Sequence, residues 1–554
     1  MKILDEKEVD KFIHENPHLK EYLDEINKKM DKPAFYSPLP TETRDEKFPN
    51  LIYPTKGMVF IHIYRTPDMD SPEYKSIEPG LSEIDKIKHE QILKLIVKKA
   101  PEKKSVVTDD ELKEVMTELI NEITVIDENA NKVEKTKKKG SDQAVLKAGN
   151  VKVTSNQKKK LEYYIIKDLV GGGPIECFMR DPYIEDIHFI AGEKIHLVHK
   201  VFGMIKTNVL IDSKEAPKFA KSISEKMGTP VSEGRPIADG VLPDGSRGNI
   251  IYSSAVSIKG PSMSIRRFTE TPISVTQLIN WKTLNAGIAS YLWICLQYGR
   301  SFFMCGGTAS GKTTTMNAVI PFIPPERKIY TAEGTPELQV PHTVWQRLLT
   351  KTSGPKEGQV DLFDLLKAAL RSRPDYIIPG EVRGAEGNIV FQAMQTGHPC
   401  MTTFHAGNVT KVIQRFTGDP INVPKTFMDN LDFVLIQLAI ERNGKLMRRC
   451  VSIDEIEGYN REIDGIMARK AFEWKPEEDK HVFVANKNSY ILEQRIAKNA
   501  GYKDTVEIYD EYEKRKNILQ RMVEEKIFDY YEVVQCIWGF YRDGEQGLPF
   551  SLSG

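Results

Sequence analysis

No run in this sequence approaches the roughly twenty apolar residues that a helix needs to cross a bilayer, and the opening Met1-Lys-Ile-Leu-Asp-Glu-Lys7 lacks the apolar core of a secretory signal. Any role at a membrane is therefore expected to work through partners. Cysteine is scarce: Cys177, Cys295, Cys305, Cys400, Cys450 and Cys536 are scattered, and the nearest two stand ten positions apart. That spacing excludes a disulfide framework and a Cys-x-x-Cys metal pair, and it points to a reducing, cytoplasmic compartment. Neither sign of charge is in excess, since 78 basic residues face 78 acidic ones. Non-specific phosphate binding needs a basic surplus on one surface, so no nucleic-acid partner is expected.

The rest has the make-up of a multidomain globular protein. A chain of 554 residues is too long for one hydrophobic core, and 40% hydrophobic with 28% charged residues is ordinary for folded domains. In residues 5 to 31, Val9, Phe12, Ile13, Leu19, Tyr22, Leu23, Ile26 and Met30 repeat at helical spacing, with a break at Pro17. The alternation in Met58-Val-Phe-Ile-His-Ile-Tyr64 predicts a strand, and residues 82 to 125 read as helices split near Pro101. These make residues 1–125 an N-terminal helical and α+β region. Residues 126–160, with Lys135-Thr-Lys-Lys-Lys-Gly140 and Lys158-Lys-Lys160, read as a Lys-rich linker or loop. Residues 161–268 mix short β-like runs such as Ile187-His-Phe-Ile190 with a helix, as expected of a compact α/β domain. From 275 to 554 apolar strands alternate with helices, the pattern of a parallel sheet covered on both faces.

Within that last stretch, Gly306-Gly307-Thr308-Ala309-Ser310-Gly311-Lys312-Thr313 matches the phosphate-loop pattern without a mismatch. The apolar run Ser301 to Cys305 precedes it, and a helical run from Thr313 to Ile320, stopped by Pro321, follows. Glycines let the backbone curl so that successive amides and the helix N-terminus face an anion. Residues 306 to 314, Thr314 included, are thus expected to hold ATP, with Lys312 on the outer phosphates and Thr313 on magnesium. Downstream, an amphipathic helix with Asp361 as N-cap leads into Arg373-Pro-Asp-Tyr-Ile-Ile-Pro379-Gly-Glu381. Glu381 should lie beyond the carboxyl end of a strand, as a residue of the magnesium shell, partly through water. Two other β-like runs end in polar groups: Lys328 to Glu333 and Glu337, either of which could orient the attacking water, and Met401 to His405, a sensor of the terminal phosphate.

Four stations in this order, the loop at 306–313, the acidic box at 332–337, Gly380-Glu381-Val-Arg-Gly384 and Thr402-Thr-Phe-His405-Ala-Gly407, resemble the type II/type IV secretion ATPase superfamily. Ile323-Pro-Pro-Glu-Arg-Lys328, Thr335-Pro-Glu-Leu338 and the stretch from Glu233 to Arg247 most resemble its archaeal branch, the archaellum (archaeal flagellum) motor ATPases. The likeness is strong over roughly residues 160 to 440 and weak at the ends. It implies an α/β fold with a RecA-like phosphate-loop C-terminal domain, a smaller α/β N-terminal domain and a helical N-terminal extension. It further implies a homohexameric ring working on an integral membrane platform protein and accessory motor proteins of a filament machine. Glu337 matches the water-orienting glutamate and Glu381 the Walker B acid, while Arg235, Arg247, Arg266 and Arg267 occupy the motifs from which arginines reach nucleotide. Two departures stand out: Gly334 replaces the usual Asp after Glu333, and Pro379 replaces an aliphatic residue. If the missing carboxylate matters, turnover is slow and Gly334→Asp raises it. The four-cysteine zinc module of some relatives is missing, so no structural zinc is expected. The alternatives to an archaellum motor are an archaeal type IV pilus or secretion ATPase, a nucleic-acid translocase, and a weakly hydrolysing nucleotide-gated scaffold.

Overall fold

The computed structural model describes residues 4–40, 43–44, 46–55, 57–103, 109–130, 149–268, 271–351, 356–442 and 445–552. The chain divides into two compact units, Met1–Phe268 and Thr269–Gly554. Among the described residues no helix is long and apolar enough to cross a membrane.

The first unit is built on one ten-stranded sheet. Its strands Asn50–Pro54, Phe60–Tyr64 and Glu73–Ile77 run on, through the pairing of Tyr74 with Thr207, into Gly203–Leu210, Lys194–His199, Ile184–Ile190, Ser262–Arg266, Arg247–Ile251 and Ile237–Val241. Stretches 1–125 and 161–268, anticipated as separate regions, thus share a sheet. The N-terminal helices Glu6–Glu15 and Pro17–Ile26 break at Pro17, where a missing N–H is harmless at a helix start. Their apolar stripe, Val9, Leu19, Tyr22, Leu23 and Ile26, packs on Ile52, Phe60 and Ile77 of the same unit. A second cluster joins the helices Glu83–Lys99, Asp109–Ile123 and Ser155–Leu169 through Ile92, Leu95, Leu119, Ile120, Leu161 and Ile165. Lys158, Lys159 and Lys160 differ from the linker expectation, because they lie on the last of these helices, which Thr154 caps by accepting from Gln157 N. The run Lys135–Lys139 falls outside the described residues.

The second unit carries the parallel sheet. Its order is Trp345–Leu349, Ile329–Glu333, Tyr376–Pro379, Met401–Phe404, Phe302–Cys305, then Phe433–Arg442, Lys445–Asn460, Gly465–Lys475 and Lys480–Phe483. Parallel bridges from Ile377 to Cys400 and from Glu381 to Thr403 join its two ladders. Alternate residues of the central strand serve opposite faces: Phe302 and Met304 pack with Trp293 and Leu435, whereas Phe303 and Cys305 pack with Phe404 and Ile436. Burial on both sides is why this strand reads as an unbroken apolar run. Beyond Phe433 the expected alternation of strand and helix gives way to an antiparallel ribbon. Only two residues separate Arg442 from Lys445, too few for the crossover that a parallel neighbour requires. The helices Ile508–Glu524 and Tyr530–Asp543 complete this unit, with Trp538 Nε1 donating to Pro321 O (3.1 Å) and Tyr541 to Phe322 O (2.5 Å).

Candidate functional site

The phosphate loop leaves Cys305 and enters the helix Lys312–Val319, whose N-cap is Gly311 at φ 87°. At Gly306 a Cβ would stand 2.0 Å from the carbonyl oxygen of Gln437, so no side chain fits. Gln437 is the loop's main support. Its Nε2 donates to Ser310 O (2.7 Å) and its Oε1 accepts from Thr315 Oγ1 (2.9 Å). The strand that carries Gln437 has a register shift between Ile436 and Gln437, and such a bulge re-aims a side chain. Arg448, on the next strand of the ribbon, donates from Nε to Ala309 O (3.0 Å). Neither residue was among those singled out in the sequence. The available signal was a lone carboxamide inside Phe433-Val-Leu-Ile-Gln437-Leu-Ala-Ile440, because a buried polar group must have a partner.

Lys312 is buried, and its ammonium donates to the carbonyls of Gly306 (3.2 Å) and Gly307 (2.8 Å). Burial pulls its pKa below the ordinary value, against the opposing pull of Glu381, Cys305 and Glu337. Thr313 and Thr314 follow it, both half-exposed.

The strand ends bring the acids to this loop's side of the sheet. Glu381 follows Tyr376–Pro379; Arg383 Nη2 donates to its Oε2 (2.7 Å), while its buried Oε1, 3.0 Å from His405 Nε2, has no hydrogen-bond partner. Burial and the neighbouring Lys312 lower the His405 pKa, against the opposing pull of Glu381. Pro379 is the last residue of its strand and pairs with Ala332. The two glutamates of the acidic box differ sharply. Glu333 is 1% exposed, and its Oε1 accepts from the amides of Glu337 and Leu338, both at 2.8 Å. Burial pushes its pKa up to about 7, although those amides and Arg347, whose Nε is 3.8 Å from Oε2, hold it down. Glu337 is exposed. At Gly334 a Cβ would meet only Thr350 Oγ1, at 3.9 Å, so an aspartate would fit there.

The four arginines lie in the other unit. Arg235, Arg247 and Arg266 are exposed; Arg247 pairs across the ladder with Arg266, whose Nε is 3.9 Å from Asp186 Oδ1. Arg267 is half-buried and donates from Nη1 to the carbonyl of Asp181.

The donor set fits a nucleoside triphosphate with a divalent cation. A glycine loop that admits no Cβ at Gly306 and a buried ammonium suit phosphate. Among the described residues no group of three or more His, Cys, Asp or Glu is arranged to hold a metal. A magnesium ion keeps several waters and needs only one or two protein oxygens beside the phosphates, so it calls for no larger protein cage.

A family model described as "Type II/IV secretion system protein" matches residues 180–522. An uncharacterised protein of Methanocaldococcus jannaschii is 49% identical over 99% of this chain and 100% of its own length. The conjugal transfer protein TrbB of Rhizobium radiobacter is 31% identical over 43% of this chain and 73% of its own. Among solved structures, the VirB11 ATPase from the Brucella suis type IV secretion system, in complex with sulphate, is 21% identical, covers 50% of this chain and 94% of that one, and has a TM-score of 0.27.

Proposed function

The chain belongs to the type II/IV secretion system protein family and is an ATPase of that family, and on that premise we propose that it is a hexameric motor whose ATP hydrolysis drives assembly or rotation of an archaellum. The observation that carries the reading is the convergence of the loop, Lys312, Glu381 and His405 at neighbouring strand ends, where an open parallel sheet takes its ligand. Magnesium, when bound, neutralises charge on the phosphates. Lys312 exchanges its two carbonyl partners for phosphate oxygens, and the amides of residues 307 to 313 cradle the rest. Glu381, held by Arg383, would serve the water shell of a bound magnesium ion, and Glu337, exposed beside the loop, holds the attacking water. Arg235, Arg247 and Arg266, all exposed, are the arginines free to offer charge to nucleotide in the assembled ring; Arg267 is committed to Asp181. The ring passes its stroke to an integral membrane platform protein at the cytoplasmic face.

Turnover of magnesium ATP by the purified full chain tests this. Lys312→Ala should abolish binding and hydrolysis together, and Glu337→Gln should bind with near-native affinity while turnover falls about a hundredfold or more. Equal loss of affinity in both variants would refute the separate roles. Stimulation by a membrane platform protein, with none by single-stranded DNA, supports the motor reading over a translocase.

A further inference from the structure

The peptide of Glu337 is held from two directions by side chains that present nothing to a nucleotide. On one side Glu333, at the buried end of its strand, accepts from the N–H of Glu337 and of Leu338 with a single oxygen. On the other side stands Asn317, in the helix that begins at Lys312: its Nδ2 donates to Glu337 O (2.9 Å), and its Oδ1 accepts from Gln339 N (3.0 Å). Both are buried, and Leu338, with no exposure at all, pins the segment to the core between them. We propose that Glu333 and Asn317 are positioning residues that fix the main chain of Glu337 relative to the phosphate loop, so that Glu333 acts as a hydrogen-bond acceptor and not as a second water-orienting base.

Geometry separates the two roles. A base must reach the water, but Glu333 lies beneath the segment that carries Glu337, with Cγ 3.2 Å from the place a Cβ on Gly380 would take. Asn317 stands five residues into the helix that begins at Lys312, so its two hydrogen bonds tie the acidic segment directly to that helix. A misplaced catalytic group costs rate and leaves ground-state binding alone, because the displaced atom acts only in the transition state.

The inference rests on Glu337 as the group that holds the water, and the experiment separates the two claims. In the full chain, kcat, KM and the equilibrium affinity for magnesium ATP are measured for Glu333→Ala, Glu333→Gln, Asn317→Ala, Asn317→Asp and Glu337→Gln, with Tm for each. Glu333→Ala and Asn317→Ala should lower kcat about tenfold or more and leave affinity within about twofold. Glu333→Gln keeps an acceptor oxygen for both amides and should recover most of the rate. Asn317→Asp keeps the acceptor for Gln339 but faces the Glu337 carbonyl with a second oxygen, so it lowers kcat even if Asn317→Ala does not fold. Added to Glu337→Gln, Asn317→Asp should cost nothing further, as expected when one residue acts through another. Glu333→Gln as damaging as Glu333→Ala, or a full additive loss in the double variant, overturns the positioning role alone. Full turnover by Glu337→Gln overturns the role of Glu337 and the positioning role with it.

Discussion

Gly306 has the least room of the three glycines in the phosphate loop. Gly306→Ala puts a methyl group 2.0 Å from the Gln437 carbonyl, so the loop and the ribbon strand must part. Nucleotide affinity should fall at least tenfold, and Tm with it, in a thermal melt with and without magnesium ATP. Gln437→Leu keeps the volume but strands the Ser310 carbonyl and Thr315 hydroxyl. A cost of about 1–3 kcal/mol in urea unfolding and a raised KM are expected. Glu333 brings a pH dependence. Its folded pKa of about 7 exceeds the ordinary 4.5, so the folded state holds a proton that the unfolded state has lost between those values. Its contribution to stability is full below pH 4.5 and is lost as pH rises through 7. Glu333→Gln lacks that slope, so its Tm measured against that of the natural chain should climb from pH 5 to pH 7.5. The loop glycines and Lys312 were readable at this scale because their spacing is dictated by the phosphate. Gln437 and Asn317 were not, since each works through a main-chain group far along the sequence.

Helix starts show how far local chemistry reaches. Asp361 accepts from Asp364 N (2.9 Å), and Asp364 returns the bond to Asp361 N, ahead of the helix Leu362–Ser372. Asp361→Ala should therefore cost about 1 kcal/mol by denaturant unfolding, with little change in nucleotide affinity. That cap, the strand before the loop and the break at Pro17 were all legible, because each depends on residues within one turn of one another. The ribbon after Phe433 was not anticipated, although Asn443-Gly444 between alternating runs is a strong hairpin signal in sequence. Phe433-Val-Leu-Ile436 is as apolar as any buried parallel strand, and it does pair parallel with Phe302–Cys305. The lysines at 158 to 160 misled for a different reason: charge marks a solvated face, and a helix has one as readily as a linker.

At the scale of the molecule, the joining of the strands Asn50–Pro54, Phe60–Tyr64 and Glu73–Ile77 to those between Ile184 and Arg266 in one sheet depends on Glu73 and Tyr74 finding Lys206 and Thr207. No local pattern carries such a pairing, which is why the first unit read as two regions. The arginines give the matching test. Arg247→Ala and Arg266→Ala should lower kcat in the assembled protein and leave the Tm of the chain nearly unchanged, since both side chains are exposed. Arg267→Ala should lower Tm, because the Asp181 carbonyl loses its donor. Turnover followed against protein concentration, beside size measurement, separates the two effects.

The two carbonyl bonds of Lys312 bear on how a spent nucleotide leaves. If Lys312 holds phosphate as proposed, product departure returns its ammonium to the Gly306 and Gly307 carbonyls and leaves it partnered. The carbonyls are neutral and phosphate is charged, so phosphate out-competes them for the ammonium, and the carbonyls serve as the weaker resting partners.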